Sequence, residues 1–245
     1  MMARDFDNDP TNNHITFAPS TLGDLIDGAA GNAWRAHIRL DTLTTARVVF
    51  NAHIDTGSKL GVGPQVSSSD ELIAFARSQS ADGAQSRTTV EAFNADTWYS
   101  TGADDDIDGD AITPYINGGA DNGGGVTFGA STYTQGTPDD PYQDDAIGCF
   151  AFKSGATTAY ASSLLGAEAE VALYKLDIGS SAHASLGKGF TPDQVRPDLL
   201  VAYWPLKGRR SPEPDMRGSA PATITGTVPQ FSHPRTHPRR AAVYH

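Results

Sequence analysis

Polar and apolar positions alternate along much of the chain. In residues 34–40, Trp34, Ala36, Ile38 and Leu40 are separated by Arg35, His37 and Arg39, the period of a strand with one buried face. Segments rich in β-branched and aromatic residues recur between turn signals: "HITFA", "AWRAHIRL", "ARVVFNAHI", "ELIAFARS", "SRTTVEAFN", "TWYSTGA", "AITPYING", "GVTFGAS", "AIGCFAF" and "AEVALYKL". Many short strands joined by turns predict an all-β fold, a sandwich of antiparallel sheets. One short helix is expected in "IGSSAHASLGKG", starting at Gly179 and Ser180 and ending at Gly187 or Gly189. From Phe190 onward the chain becomes proline-rich and reads as an extension without a second core. The expected division is an N-terminal segment at 1–13, the sandwich at 14–205 and an irregular arm at 206–245. Inward positions of the strands should include Trp34, Ile38, Phe50, Phe75, Trp98, Ile116, Ile147 and Tyr174.

Length and composition fit that pattern. The 245 residues can bury a substantial core, and 25 glycines, 15 prolines and 19% charged residues suit short strands and turns. The single Cys149 excludes an internal disulfide framework and reads as a small core residue. No run approaches the ~20 apolar residues of a membrane span. The start "MMARDFDNDP" lacks the apolar stretch of a signal peptide, which predicts assembly in a cytoplasm. Charge is unevenly placed: residues 206–245 hold seven of the 18 Lys and Arg but two of the 29 Asp and Glu. The acidic body argues against a nucleic-acid partner, and the basic arm suits docking on an acidic surface. Arg235, Arg239 and Arg240 are the arm's candidate partner-binding residues, and "ATITGTV" could add a strand to a sheet edge.

The densest chemistry lies in "GADDDIDGDAI", residues 102–112. Asp104, Asp106 and Asp108 alternate ahead of Gly109, as at the start of a calcium-binding loop, but Tyr115 stands where that motif needs a bidentate Glu. Strand-like flanks make the cluster the tip of a hairpin. A solvated turn and a calcium site at Asp104, Asp106 and Asp108 both remain open. His14, His37, His53 and His183 show no ligand spacing, and "GGADNGGG" precedes no helix that could cradle phosphate. Trp34, Trp98 and Trp204 are either core residues or a sugar-stacking platform.

The order "AWRAHIRLD", "ADTWYSTGA", "YINGGAD", "DDAIGC" and "GAEAEVALYKLDIGSSAHASLGKGFTP" resembles the laminin G-like, concanavalin A-like lectin/glucanase superfamily. Trp34, Trp98, Tyr115 with Asn117 and Gly118, Ile147 with Gly148, and Tyr174 carry the resemblance, which spans roughly residues 14–206. It implies a jelly-roll of two antiparallel sheets and core roles for Trp34 and Trp98. "RPDLLVAYWPLKGRRSPEPD" and the later "HPR" look like a phage and bacterial subgroup.

Hydrolases of that superfamily need carboxylates alternating on one strand, about 5 Å apart across the cleft when they retain configuration. Glu168 and Glu170 share a strand face by spacing, but the third position is Ala172, so no enzyme is expected. Two readings follow. One is a structural protein of a phage particle, a capsid decoration protein or a tail component, bound to the major capsid protein and to copies of itself in the virion. The alternative is a carbohydrate-binding lectin or adhesin that takes host surface glycan, with calcium as its one candidate cofactor.

Overall fold

In a computed structural model, the structure describes residues 2–7, 9, 13–19, 21–55, 59–136, 144–154, 157–207, 212–218, 220–226, 228–234 and 236. Two nine-stranded antiparallel sheets face each other, with a two-stranded hairpin beside them. The first sheet runs Gly119–Ala120, Ala111–Ile116, Trp98–Asp106, Gly31–Leu40, Gly166–Tyr174, Met2–Phe6, Gln230–Ser232, with Gly124–Gly125 also on Ala111–Ile116 and Leu200–Trp204 on Gly166–Tyr174. The second runs Thr223–Thr225, His14–Phe17, Asp145–Ile147, Phe50–Asp55, Lys59–Val62, Glu71–Ala76, Gln65–Val66, Arg47–Val48, with Gln85–Ala92 on Glu71–Ala76. This is the expected all-β jelly-roll sandwich.

Alternation decides which side chains fill the gap between the sheets. On Gly31–Leu40, Trp34, Ala36, Ile38 and Leu40 enter the main core with Phe50, Ile54, Ile147 and Trp204. Ala33 instead joins an outer cluster under the helix Ser180–Gly187, whose Ala182 and Leu186 cover Tyr174, Leu200 and Tyr203. Six of the eight expected core residues are buried, although Tyr174 lies in this outer cluster. Phe75 and Trp98 are part-buried, for one reason: on Glu71–Ala76 it is Leu72, Ala74 and Ala76 that point inward, and Trp98 faces out opposite Arg39. A shift of one position exchanges the faces of a strand.

Turn chemistry fixes the hairpins. Asn117 (φ 52°) and Gly118 (φ 83°) form a two-residue turn of the mirror-image type between Ala111–Ile116 and Gly119–Ala120. A Cβ on Gly118 would sit 2.8 Å from Ala184 Cα, so glycine also lets the helix approach the sheet.

Other expectations are corrected. "GVTFGAS" is strand only at Gly124–Gly125, while "ARVVFNAHI" and "AIGCFAF" each break into two strands. A helix at Thr21–Ile26 was not anticipated. The region after Phe190 is not merely an extension: Leu200–Trp204 is paired in the first sheet, and Trp204 is buried against Phe17. The sandwich also draws strands from outside residues 14–205. Met2–Phe6 lies between Gly166–Tyr174 and Gln230–Ser232, and Thr223–Thr225 pairs with His14–Phe17. The described part of the arm therefore folds back on its own sheets. Arg4 fastens it from within, donating to Val228 O (2.8 Å) and Glu213 Oε2 (3.1 Å).

Candidate functional site

Asp104, Asp105 and Asp106 end strand Trp98–Asp106, and the turn is 107–110. Asp104 is buried. Its carboxylate accepts from the backbone N–H of Ile178 (3.0 Å) and Gly179 (3.1 Å) and from Tyr115 Oη (3.2 Å), with His183 Nε2 at 3.0 Å. Burial pushes this carboxyl up, but the bonds from His183, Ile178 and Tyr115 outweigh it and hold it below the usual range. Asp106 accepts from Gly109 N (2.9 Å) across the turn, and Asp108 is exposed beside a cleft of about 210 Å³ with Asp110 and Phe128. The three candidate ligands thus have three different environments. Among the described residues no group of three or more His, Cys, Asp or Glu could hold a metal ion. Asp104 is an anchor that fastens the loop before helix Ser180–Gly187 to the sheet.

The suspected carboxylate ladder is also altered. Glu170 has φ 55°, and the pairing of Gly166–Tyr174 with Gly31–Leu40 slips between Ala169 and Ala172, a β-bulge. The extra residue separates the two glutamates. Glu168 pairs with Ile38 on the core side, is fully buried, and has no partner for either oxygen, so desolvation pushes its carboxyl well above the usual range. Glu170 turns outward to accept from Tyr203 Oη, with His233 Nε2 2.8 Å from its other oxygen. Beside it Arg35 is wholly buried with Nη2 2.7 Å from His37 Nε2. His37 is pushed well down, first by burial and then by Arg35 and His233. The equal spacing that suggested a shared face is overturned, and no aligned pair of carboxylates results.

A different arrangement lies on the outer face of the first sheet. Trp34 and Trp204 are buried, whereas Trp98 is part-buried and packs on Ala3, Ala167 and Ala169 with Phe231. Those alanines come from Met2–Phe6 and Gly166–Tyr174, strands lying between the one that carries Trp98 and the one that carries Phe231. Neighbouring strands stand about 4.8 Å apart, so four steps separate the two aromatic residues along the sheet. Their ring centroids are nevertheless 6.4 Å apart. The sheet must therefore curve between them, so that the two rings meet over the alanine methyl groups. Arg39, directly opposite Trp98, holds its guanidinium 4.5 Å over the Phe231 ring and donates to Asp41 and Asp96. The Asp96 side chain is 70% exposed and that of Asp41 44%. The result is an apolar floor edged by carboxylate acceptors, chemistry suited to a ligand with an apolar face and hydroxyls on its rim.

Remaining candidates lie elsewhere. His14 stacks on Tyr160, whose hydroxyl donates to Asp144 (3.0 Å), and His53 lies near Asp145 and Phe150. Cys149 is buried and its thiol is pushed up to about 12 by burial, then by Glu168 and Asp144. A cleft of about 340 Å³ is lined by Ala29, Ala30, Leu199, Val201 and Lys175 and has no aromatic wall. Arg235, Arg239 and Arg240 lie outside the described residues.

No family model and no curated protein sequence matches the chain. Solved structures do match in fold. A Bacteroides ovatus protein described as a carbohydrate-binding candidate aligns at TM-score 0.65 and 17% identity over 94% of this chain. This chain spans 60% of that protein's length. The CBM40 of Ruminococcus gnavus IT-sialidase, solved with α2,3-sialyllactose bound, aligns at TM-score 0.52 and 8% identity over 72% of this chain and 93% of its own. Domains LG4–5 of the mouse laminin α1 chain align at TM-score 0.50 and 10% identity over 73% of this chain and 43% of theirs. These neighbours share the fold of this chain, a lectin-like jelly-roll of two antiparallel sheets.

Proposed function

We propose that this chain is a non-catalytic carbohydrate-binding module that seats a sugar on the Trp98–Phe231 floor. The observation that carries the reading is Trp98 itself, part-exposed on the outer sheet face over an alanine floor, with Arg39, Asp41 and Asp96 at its edge. A pyranose ring has an apolar C–H face that stacks on such a ring and equatorial hydroxyls that donate to carboxylates. Two of the fold neighbours carry carbohydrate binding in their descriptions, which favours this reading over the virion role. The virion role drew part of its support from an arm extended across neighbouring subunits, and the described arm strands pair instead with the chain's own sheets. Separation of Glu168 from Glu170 supports a binding role without hydrolysis.

The test is a glycan array followed by calorimetry on each hit. Trp98→Ala should weaken binding by roughly tenfold or more, about 1.4 kcal/mol, while leaving the circular dichroism spectrum intact. Because Trp34 and Trp204 are buried, a ligand-dependent change in tryptophan emission should vanish with Trp98. Full affinity in Trp98→Ala would refute this placement.

A further inference from the structure

We infer that the sugar seated on the Trp98 floor is neutral or carries a free amino group, and that carboxylated and sulfated glycans are turned away. This rests on the carbohydrate reading of the same floor and adds its selectivity. Acidic glycans are recognised through guanidinium or ammonium groups whose N–H donors are free to fork onto the anion. Among the described residues the cation at this floor is Arg39, and it is already committed. Its two terminal nitrogens donate to Asp41 and Asp96, its plane covers Phe231, and its side chain is 14% exposed. An arriving carboxylate would have to displace one of two resident carboxylates.

Apart from Arg39, the charges around the floor among the described residues are carboxylates. Reading across the sheet from Trp98, the outward residues are Arg39, Ala167 and Asp5. Asp5 senses the crowding: burial raises its carboxyl, Asp41 and Asp7 raise it further, and only Arg39 opposes them. The next row holds Ser100, His37, Ala169 and Ala3, in which His37 is kept neutral by burial, Arg35 and His233. Arg35 lies a row further on, fully buried beside Glu170. Among the described residues, Arg39, Asp5, Asp41 and Asp96 therefore leave the floor with a surplus of two negative charges when the aspartates are ionised. The exposed oxygens of Asp41 and Asp96 can accept from hydroxyl or ammonium groups and can offer nothing to an anion.

A surplus of two charges about 6 Å from a ligand charge, in a dielectric close to that of water, is worth about tenfold in affinity at low salt and less as the Debye length shrinks. The experiment titrates the full chain at pH 6 with a glucosamine tetramer, its N-acetylated counterpart and a galacturonate tetramer, each at low and high sodium chloride. The expected order is glucosamine about tenfold tighter than N-acetylated, and galacturonate weakest. High salt should bring the first two within about twofold. Asp96→Asn should shrink the glucosamine preference about threefold, and Trp98→Ala should weaken glucosamine binding about tenfold or more.

Galacturonate binding as tightly as the N-acetylated tetramer overturns the selectivity and leaves the carbohydrate reading standing. So does a glucosamine preference indifferent to salt or to Asp96→Asn. Glucosamine binding undiminished by Trp98→Ala is attraction to the acidic body at large and refutes the inference. Failure of all three tetramers to bind removes the carbohydrate reading of this floor and the inference with it.

Discussion

Replacing Asp104 by alanine should destabilise the sandwich by about 3 kcal/mol, through loss of an anchor and with no metal involved. Its carboxylate receives the Ile178 and Gly179 amides and the Tyr115 hydroxyl, and faces the His183 ring. Leaving a buried donor without an acceptor costs about 1–3 kcal/mol. Ile178 is buried and Gly179 half-buried, so water can rescue only part of the loss. About 1 kcal/mol for each of the three donors is the low end, and it corresponds to roughly 6–12 °C in Tm for a domain of this size. The assay is urea unfolding at pH 7 of the parent chain and Asp104→Ala, run in chelator and in millimolar calcium. The gap should be the same in both solutions. The sign of its pH dependence also follows. A carboxyl held below its ordinary value contributes fully above the unfolded pKa of about 3.9 and loses that contribution as pH falls through the folded value. The gap should therefore narrow on acidification below about pH 4. A gap under about 0.5 kcal/mol at pH 7, or one present only with calcium, would refute the anchor argument.

Two further perturbations read the buried titratable groups. His37 is held neutral by burial, Arg35 and His233, so its contribution is complete above the unfolded value of about 6.5 and is lost as pH falls below it, by up to about 1.4 kcal/mol per pH unit. Urea midpoints between pH 7 and 5 should fall less steeply for His37→Gln than for the parent, and equal slopes would contradict the assignment. Glu168 has the opposite sign: a carboxyl raised by burial contributes fully below about 4.3 and loses stability as pH rises through its folded value. Glu168→Gln should therefore be more stable than the parent at pH 8, by about 1–3 kcal/mol, and close to it at pH 4. A destabilised Glu168→Gln at pH 8 would mean that the carboxylate has an ionic role.

Alternation made the central strands legible. Gly31–Leu40 carries its core side chains at alternate positions, Trp34, Ala36, Ile38 and Leu40, and the helix at Ser180–Gly187 is bracketed by the glycines that bound it. Strands near the two ends of the sequence were less legible, because their polarity conceals their pairing. "MARDF" looks like a solvated start, but Arg4 is buried with Glu213, which lies 209 residues away. "ATITGTV" reads as a strand in search of an edge. The edge it meets is the chain's own His14–Phe17, a choice that depends on where the connection before it can reach.

The candidate site shows why periodicity cannot find everything. Glu168 and Glu170 stand two apart, the spacing that puts side chains on one face of a regular strand. A single residue at positive φ cancels the rule, and nothing in "GAEAEVALY" announces it. The Trp98 floor is harder still. Its surface consists of three alanines on two strands, and alanine carries no chemical signal. Phe231 reaches the floor only because Gln230–Ser232 returns to pair with Met2–Phe6 at the far edge of the sheet. Trp98 has the same strand-like context as Tyr99 beside it, yet Tyr99 packs inward on Phe93 and Trp98 outward on alanine. Which of two adjacent aromatics is buried depends on register alone, and register depends on the partner strand. The small residues that make room for an outward ring are therefore the signal to seek: alanines aligned across several strands beside one unburied tryptophan.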